Sequence, residues 1–209
     1  MRIGVVADTH VGEHLPVLPS EVAEVLDGVD LIVHAGDLTD TIVLEQLGRI
    51  GPVVAVRGNH DEEAGIADGM PRDAVIEAGG RRIGVTHGTR TKAVELPAAG
   101  LSLLAARAVL LGFDGAMRRR FGDVDCVIVG HLHMPIHRMV GGVLLYSPGA
   151  VFVPELDPGY SWSGLRARGY RRFRDRLPPA ARAPGVGVLE VGPEGVSART
   201  IVLRRPIRE

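Results

Sequence analysis

The sequence is poor in cysteine, in net charge and in long apolar segments, and each scarcity excludes a class of protein. Its one thiol, Cys126, cannot form an intramolecular disulfide, so we expect a buried strand cysteine and a reducing, cytoplasmic compartment. The formal net charge of -1 gives no overall attraction to nucleic acid or to an anionic membrane. The longest apolar segment, residues 101–113, contains Arg107 and is too short to span a bilayer. The chain reaches Asp8 directly after a strand-like run, so no secretory leader is expected.

What the sequence does contain is the composition of a folded globular protein. Hydrophobic residues make up 45% of the 209 residues and charged residues 23%, which argues against disorder. This length lies within the usual range of one domain, so we expect a single domain over residues 1–209.

The first third of the chain alternates short apolar runs with helical patterns. Buried strands are predicted at residues 2–7, 31–34 and 53–57. A helix is expected at 19–26 with Ser20 as its N-cap, and another at 41–47 capped by Thr39 or Asp40. This alternation of strands and helices indicates a parallel sheet.

The middle of the chain changes to closely spaced strands joined by glycine turns. Paired glycines at 79–80 and 141–142 are expected at hairpin tips. A helical segment at about 97–112 precedes a predicted strand at 124–129, and a last hairpin is expected at roughly 186–203. These elements predict a second, more antiparallel sheet.

Residues 154–185 depart from this pattern and carry many arginines and aromatic residues. Proline and glycine bound the segment and no periodicity persists through it, so we interpret it as an insertion that forms a solvated loop. Two other interpretations stay open: a lid or assembly arm, and a surface whose arginines and rings contact single-stranded nucleic acid. The arginines are Arg166, Arg168, Arg171, Arg172, Arg174, Arg176 and Arg182.

The strongest signal is the placement of Asp, His and Asn at the carboxyl ends of the predicted strands, where α/β sheets usually bind ligands. Side chains at i and i+2 of an extended segment face the same side, so Asp8 and His10 can bind one ion. The same spacing joins His131 and His133. Carboxylate, imidazole and amide donors without thiolates suit a divalent ion rather than a closed structural zinc site. The five clusters are Asp8-Thr9-His10, Gly36-Asp37, Gly58-Asn59-His60-Asp61, His87-Gly88 and Gly130-His131-Leu132-His133.

In this order, the clusters resemble those of the calcineurin-like binuclear metallophosphoesterase superfamily, and the short chain resembles its small prokaryotic phosphodiesterase branch. The likeness covers roughly residues 1–153 and the last hairpin. It implies a two-sheet αββα sandwich, an α/β fold of mixed sheets with helices on the outer faces. Leu132 stands where the family usually has Thr, and residues 147–150 replace an Asn-Pro-Gly-Ser turn, but neither departure removes a ligand.

The resemblance also implies two divalent metal ions. The ligands of one ion would be Asp8, His10 and His133. The ligands of the other would be Asn59, His87 and His131. Asp37 would bridge the two ions, and His60 would face the substrate phosphate as the second catalytic residue. Asp61 would orient His60 or a neighbouring loop.

Other polar residues are expected to be structural. His34 is interpreted as a hydrogen-bonded strand histidine, and His14 and His137 receive no role. The run of arginines at 118–120 is expected at a solvated helix end.

The reaction expected from this site is hydrolysis of a phosphodiester, or of a phosphomonoester, by a hydroxide that bridges the two ions. Mn²⁺ is the expected metal, with Ni²⁺, Fe²⁺, Zn²⁺ and Mg²⁺ as alternatives. The expected partners are a small phosphate-ester substrate and copies of the same chain in a homodimer or homotetramer, with no membrane. Two rival functions stay open: a non-catalytic metal-binding scaffold, as in a retromer subunit of similar fold, and a nuclease that binds nucleic acid through the arginines of 154–185.

Overall fold

The computed structural model describes residues 1–105, 110–156, 160–161 and 163–204. The strands are β1 (Arg2–Val6), β2 (Leu31–His34), β3 (Val53–Ala55), β4 (Asp73–Ala78), β5 (Arg81–Thr86), β6 (Cys126–Val129), β7 (Pro135–Val140), β8 (Val143–Pro148), β9 (Gly185–Gly192) and β10 (Gly195–Val202). The helices are α1 (Ser20–Leu26), α2 (Ile42–Gly48), α3 (Asn59–Glu63), α4 (Lys92–Ala105), α5 (Phe113–Arg120), α6 (Gly164–Arg174) and α7 (Pro179–Arg182), with a 3₁₀ turn at Pro154–Leu156.

The first sheet has the strand order β10-β9-β1-β2-β3. β1 pairs in parallel with β2, and β2 with β3, as the alternation of strands and helices predicts. The hairpin of β9 and β10 then joins antiparallel to β1, with Ile3 opposite Leu189. The predicted last hairpin is therefore confirmed, and it completes the first sheet, a position that its own sequence does not reveal.

The second sheet has the strand order β4-β5-β6-β8-β7. The predicted hairpin tips are confirmed, since Gly79 and Gly80 join β4 to β5, and Gly141 and Gly142 join β7 to β8. All four glycines have a positive φ, which a two-residue turn of this kind needs. However, β6 pairs in parallel with both β5 and β8, so the sheet is mixed rather than mainly antiparallel. The reason is that the chain crosses over through α4 and α5 before it returns as β6.

Apolar side chains form three buried layers. The central layer lies between the sheets and includes Ile3, Val33, Ile83, Ile128 and Tyr146. An outer layer packs α1 and α2 on the first sheet, and another packs α5 on the second sheet. This order of helices, two sheets and helices confirms the predicted αββα sandwich.

The starts of the first two helices refine the predicted caps. α1 begins at Ser20 itself, so Pro19 rather than Ser20 occupies the N-cap position. At the start of α2, Asp40 Oδ1 accepts a hydrogen bond from the backbone N–H of Ile42 at 2.9 Å. The N-cap position of α2 is Thr41, so neither Thr39 nor Asp40 occupies it, although Asp40 bonds a backbone N–H of the first turn.

The long helix α4 begins earlier than expected. The prediction placed a helical segment at about 97–112, but α4 starts at Lys92 and contains Pro97. Residues 106–109 of that segment lie outside the described residues. Among the residues that are described, none of the helices combines the length and the apolar character needed to cross a membrane.

The arginine-rich segment is helical over Gly164–Arg174, so the prediction of a solvated loop is wrong there. α6 contacts α4, and only 1% of the Arg174 side chain is exposed. The Arg174 guanidinium lies 5.9 Å from the ring centroid of Tyr170, four residues earlier on the same helix face. The buried face of this helix could not be predicted from the sequence, because arginine is rarely buried and here occupies a buried position. Residues 157–159 and 162 lie outside the described residues, and the assignment of the segment as an insertion in a single domain stays a prediction.

Candidate metal centre

The predicted ligands come from both sheets and lie after the carboxyl ends of their strands. The first sheet supplies Asp8, His10, Asp37 and Asn59, which follow β1, β2 and β3. The second sheet supplies His87, His131 and His133, which follow β5 and β6. Because β1, β2 and β3 run parallel, and β5 and β6 do too, each sheet delivers its polar residues at one edge.

Four of these side chains form one buried cluster. The potential ligand atoms of Asp8, His10, Asp37 and His133 all lie within 4.8 Å of one another. Nε2 of His133 lies 3.5 Å from Oδ1 of Asp8 and 3.3 Å from Nε2 of His10. Two imidazole nitrogens and carboxylate oxygens around one point are a donor set that divalent transition metals accept.

His87 begins a second group of predicted ligands. Its Nδ1–H donates to the carbonyl oxygen of Ala35 at 2.8 Å, which leaves Nε2 facing Oδ2 of Asp37 at 3.1 Å. This buried Nε2 makes no hydrogen bond within the described residues, since its alignment with the Asp37 carboxylate is poor. The ring of His131 lies edge-on to that of His87, with centroids 5.1 Å apart. A ring nitrogen held in this way is free to bind a metal ion.

The two remaining ligands of the second group have protein partners that the sequence did not single out. Nε2 of His131 pairs with Oε1 of Glu95 on α4 at 3.0 Å. Oδ1 of Asn59 accepts a hydrogen bond from the hydroxyl of Thr89 at 3.1 Å. Glu95 and Thr89 follow the His87 cluster in the chain, but neither belongs to a recognisable ligand spacing.

Asp37 lies between the two groups. Its Oδ2 is 3.8 Å from Nε2 of His10 on one side and 3.1 Å from Nε2 of His87 on the other. Its Oδ1 accepts a hydrogen bond from the backbone N–H of His60 at 2.9 Å, which holds the orientation of the carboxylate. Burial opposes ionisation, but His87 and His10 hold the pKa of Asp37 below its ordinary value.

Without a bound cation, protons on Asp8 and His87 offset the carboxylate charge of this centre. Burial raises the pKa of Asp8 to about 8, and the neighbouring carboxylate of Asp37 acts in the same direction. Burial disfavours the charged form of His87, yet Asp37 and Asp8 raise its pKa to about 9. A proton on His87 thus offsets carboxylate charge that a divalent cation would offset better. The residues present therefore fit a cationic group between them.

The backbone of the ligand loops differs from the prediction. Asp8 and His10 do bring their ligand atoms together, but the extended backbone expected for the ligand segments is wrong. The residues Asp8, His10, Asp37, His131 and His133 all have φ between 48° and 70°. Non-glycine residues in this left-handed region cost on the order of 1–3 kcal/mol each and persist only where other contacts hold them. Here the backbone N–H of His131 donates to both oxygens of Asp8, at 3.0 and 3.1 Å.

Asp61 ties two ligand loops together. It is fully buried, and its carboxylate accepts backbone hydrogen bonds from Asp37 at 2.9 Å, Thr39 at 2.8 Å and Gly58 at 2.7 Å. These contacts join the loop after β2 to the turn that begins α3. Asp61 thus orients a neighbouring loop, the second of the two roles expected for it.

Comparison with known proteins agrees with this geometry. A family model described as the calcineurin-like phosphoesterase superfamily domain matches residues 1–163. The chain belongs to the calcineurin-like phosphoesterase superfamily. A probable metallophosphoesterase of Methanothermobacter thermautotrophicus is 35% identical over 162 residues, which are 76% of this chain and 82% of the relative. One of Methanocaldococcus jannaschii is 36% identical over 155 residues, 74% of this chain and 70% of the relative.

Solved structures share the fold of this phosphoesterase at lower identity. An archaeal phosphodiesterase superposes with a TM-score of 0.58 at 22% identity, over 97% of this chain and 100% of that one. The vacuolar sorting protein Vps29 of Entamoeba histolytica, solved with Zn²⁺, has a TM-score of 0.61 at 20% identity, over 97% and 99% of the two chains. At these identities, the likeness shows the shared fold alone.

His60 lies beside the phosphoesterase centre with a carboxylate partner that the sequence did not reveal. Oε2 of Glu13 lies 3.1 Å from Nδ1 of His60 and 2.9 Å from Nδ1 of His10. The hydrogen bond that Nδ1–H of His60 donates to Glu13 outweighs burial and raises the pKa of His60 to about 9, so this imidazole carries a proton at neutral pH. The contact between Glu13 and Nδ1 of His10 leaves Nε2 of His10 facing the other candidate ligands.

Arg174 of α6 bonds the backbone of the loop that carries His133. Its Nη1 donates to the backbone carbonyl oxygen of His133 at 2.8 Å. Its Nε and Nη2 form a two-point ion pair with Glu155 at 2.8 and 2.9 Å, and Nη2 also donates to the carbonyl oxygen of Arg182 at 3.1 Å. The segment that lay outside the recognised motifs thus supports a predicted metal ligand.

An open cleft adjoins the centre on the Asn59 and His87 side. It contains about 320 Å³ of empty space that is continuous with solvent. Besides these two residues, its wall includes Arg57, Arg72 and Arg120. The Glu13 side of the centre has a different wall, in which His14 stacks on Phe152 with centroids 4.4 Å apart.

The structural roles expected for other residues are confirmed. His34 is fully buried, and its Nε2 lies 3.2 Å from the hydroxyl of Thr9. Burial raises the pKa of Cys126 to about 12, which keeps the thiol protonated and unreactive. The arginines at 118–120 end α5, where Nε of Arg120 bonds Asp73 at 2.7 Å.

Proposed function

We propose that this protein is a phosphodiesterase that works with two divalent metal ions. One ion would be held by Asp8, His10 and His133, and the other by Asn59, His87 and His131. The observation that carries the proposal is the position of Asp37, whose Oδ2 faces Nε2 of His10 at 3.8 Å and Nε2 of His87 at 3.1 Å. A carboxylate between two imidazole-bearing groups is the place of a ligand shared by two ions.

Bound divalent ions would lower the pKa of water towards neutrality and offset the charge of the phosphate. The protein contributes the proton donor, because the raised pKa of His60 keeps this imidazole protonated at neutral pH. Its Nδ1 is engaged by Glu13, so Nε2 is the position from which a proton can pass to the leaving-group oxygen. Asp37 holds the backbone of His60 and so couples the proton donor to the metal ligands.

The remaining parts of the proposal follow from the donor set and the sequence. Mn²⁺ is the proposed metal, since a mixture of carboxylate, imidazole and amide donors suits a borderline to hard ion. The proposed substrate is a small phosphate diester, the proposed compartment is the cytoplasm, and a homodimer or homotetramer is the proposed assembly. The nuclease alternative loses one of its candidate arginines, because Arg174 is engaged within the fold.

The direct test is hydrolysis of bis-p-nitrophenyl phosphate and p-nitrophenyl phosphate by metal-stripped protein, with Mn²⁺, Ni²⁺, Zn²⁺, Fe²⁺ or Mg²⁺ returned singly. We expect activity to return with Mn²⁺ and to be higher on the diester. Activity on the monoester alone would overturn the diester assignment. A folded, metal-loaded sample without activity on either ester would favour the scaffold alternative.

A further inference from the structure

The arginines that line the cleft beside Asn59 and His87 have no part in the chemistry proposed above. Arg57 follows β3, Arg72 precedes β4 and Arg120 ends α5, so three separate parts of the chain bring guanidinium groups to one cleft. Arginines from three parts of the chain are an arrangement that a single solvated helix face does not produce. The cleft also reaches the predicted metal ligands at its inner end.

The carboxylates near these arginines leave positive charge in the cleft. Glu62 forms ion pairs with two of them, since its Oε1 lies 3.3 Å from Nε of Arg57 and 3.8 Å from Nε of Arg72. Arg120 pairs with Asp73. Two carboxylates thus pair with three guanidinium groups, so one positive charge is not offset by these ion pairs.

The arginines differ in how tightly they are held. Arg57 is anchored by its Nη1, which donates to the carbonyl oxygen of Met70 at 3.2 Å. Its buried Nε lies near Glu62 but makes no properly aligned hydrogen bond within the described residues. The side chain of Arg72 is 59% exposed, so it can turn towards a ligand at small cost. This combination gives the cleft one fixed and one adaptable donor.

The two sides of the centre differ in their charged groups, because the cationic groups of the His10 and His133 side, His60 and Arg174, are each paired with a carboxylate. On this side, Glu13 is paired with His10 and His60, and it places negative charge near the proposed proton donor. The cleft with the three arginines lies on the other side, beside Asn59 and His87, so a second anionic group of the substrate would find its cationic partners there.

We propose that the substrate of this enzyme carries a second anionic group, and that the cleft of Arg57, Arg72 and Arg120 binds it. A terminal phosphate fits best, because guanidinium groups bond phosphate oxygens in pairs. The substrate class is thus a phosphodiester with a terminal phosphate, such as a 5′-phosphorylated dinucleotide. This inference rests on the proposed phosphodiesterase function and adds the recognition that determines its substrate.

The test compares two substrates that differ only in the terminal phosphate. The Mn²⁺-loaded protein is assayed on the thymidine dinucleotide TpT and on its 5′-phosphorylated form, pTpT. We expect kcat/KM to be higher for pTpT by about tenfold or more, since charge-assisted hydrogen bonds are the strong ones. The preference should shrink as ionic strength rises, because Arg72 is exposed to screening ions.

Variants of the cleft arginines test whether the preference for pTpT over TpT arises in the cleft. Arg72→Gln and Arg120→Gln should each reduce the ratio of the two kcat/KM values. Arg199→Gln, which removes an exposed arginine on β10, is the matched control and should keep the ratio of the unmodified protein. Calorimetric binding of thymidine 3′,5′-bisphosphate and of thymidine 3′-monophosphate, which lacks only the 5′-phosphate, supplies a second readout, and we expect tighter binding of the bisphosphate.

Equal kcat/KM values for pTpT and TpT, with cleft variants that behave like Arg199→Gln, would overturn the inference and leave the phosphodiesterase intact. A loss of the same size in all three variants would also overturn it, because the effect would then be one of total charge. Absence of hydrolysis of every diester, bis-p-nitrophenyl phosphate included, would instead remove the proposed function itself.

Discussion

The two sides of the metal centre are built differently. On the His10 and His133 side, side chains from the rest of the protein hold the ligands in place: Glu13 bonds the ring of His10, and Arg174 bonds the carbonyl oxygen of His133. On the His87 and Asn59 side, the ligands border an open cleft lined with arginines. With the proposed function, one side would hold the proton donor in place and the other would receive the substrate.

The largest effect is expected from Asp37, which both sides share. Asp37→Asn keeps the shape of the side chain but removes the charge that lies between His10 and His87. We expect turnover to fall by several orders of magnitude, because the shared ligand of both ions is weakened. Circular dichroism should show a folded protein, and steady-state kinetics with excess Mn²⁺ measures the loss. Turnover close to that of the unmodified protein would contradict the assignment of Asp37.

The next effect separates the proton donor from the ligands. His60→Ala should lower kcat by roughly 10²–10⁴-fold, the usual contribution of a general acid. Metal content, measured by inductively coupled plasma mass spectrometry, should stay unchanged, since His60 contacts Asp37 only through its backbone N–H. Loss of metal from this variant would instead identify His60 as a ligand.

A smaller effect should be confined to the His10 and His133 side. Arg174→Met removes the support of the His133 loop and should weaken one of two Mn²⁺ binding events by about 10–100-fold, as changes behind metal ligands usually do. Arg174→Lys keeps the charge without the two-point contact to Glu155. Its Mn²⁺ affinity should lie between those of the unmodified protein and Arg174→Met. Arg172→Met, on the same helix but exposed, is the control.

Calorimetric titration of metal-free protein with Mn²⁺ measures both binding events. Equal weakening of the two events in Arg174→Met would show that the helix stabilises the whole fold rather than one ligand loop. In that case the contrast between the two sides of the centre would lose one of its supports.

The smallest expected effect is a change in pH dependence. The pKa of His60 is raised from 6.5 to about 9, chiefly by Glu13, so its proton is present below that pH and lost as the pH rises through about 9. Glu13→Gln removes the carboxylate, and the alkaline limb of the kcat profile should move to lower pH. A limb that does not move would show that another group determines it.

Much of this architecture is readable from local patterns. Runs such as Leu31–His34 are short, apolar and rich in β-branched residues, so their strands are predictable without any knowledge of their neighbours. Gly79 and Gly80 predict a hairpin tip because a positive φ at both positions is easy only for glycine. The ligand clusters are predictable for a similar reason, since Asp and His at strand ends form repeated short motifs.

The supporting residues are not readable in this way, because their partners are distant in the chain. Arg174 bonds a carbonyl oxygen that lies 41 residues away, and an arginine in a basic segment carries no local sign of burial. Glu13 looks like an ordinary surface carboxylate until the fold brings His60 to it. Even within the motifs, the left-handed backbone of Asp8 and His133 replaces the extended geometry that their spacing suggests.

The strands, the hairpin tips and the set of candidate ligands can be read from short segments, because propensity, glycine chemistry and donor type are local properties. The packing of the two sheets is needed to see which sheet the last hairpin joins, that Asp37 lies between two groups of candidate ligands, and that arginines from three parts of the chain share one cleft. The physical reason is that contacts between distant segments depend on how both sheets pack. No short stretch of sequence contains that information.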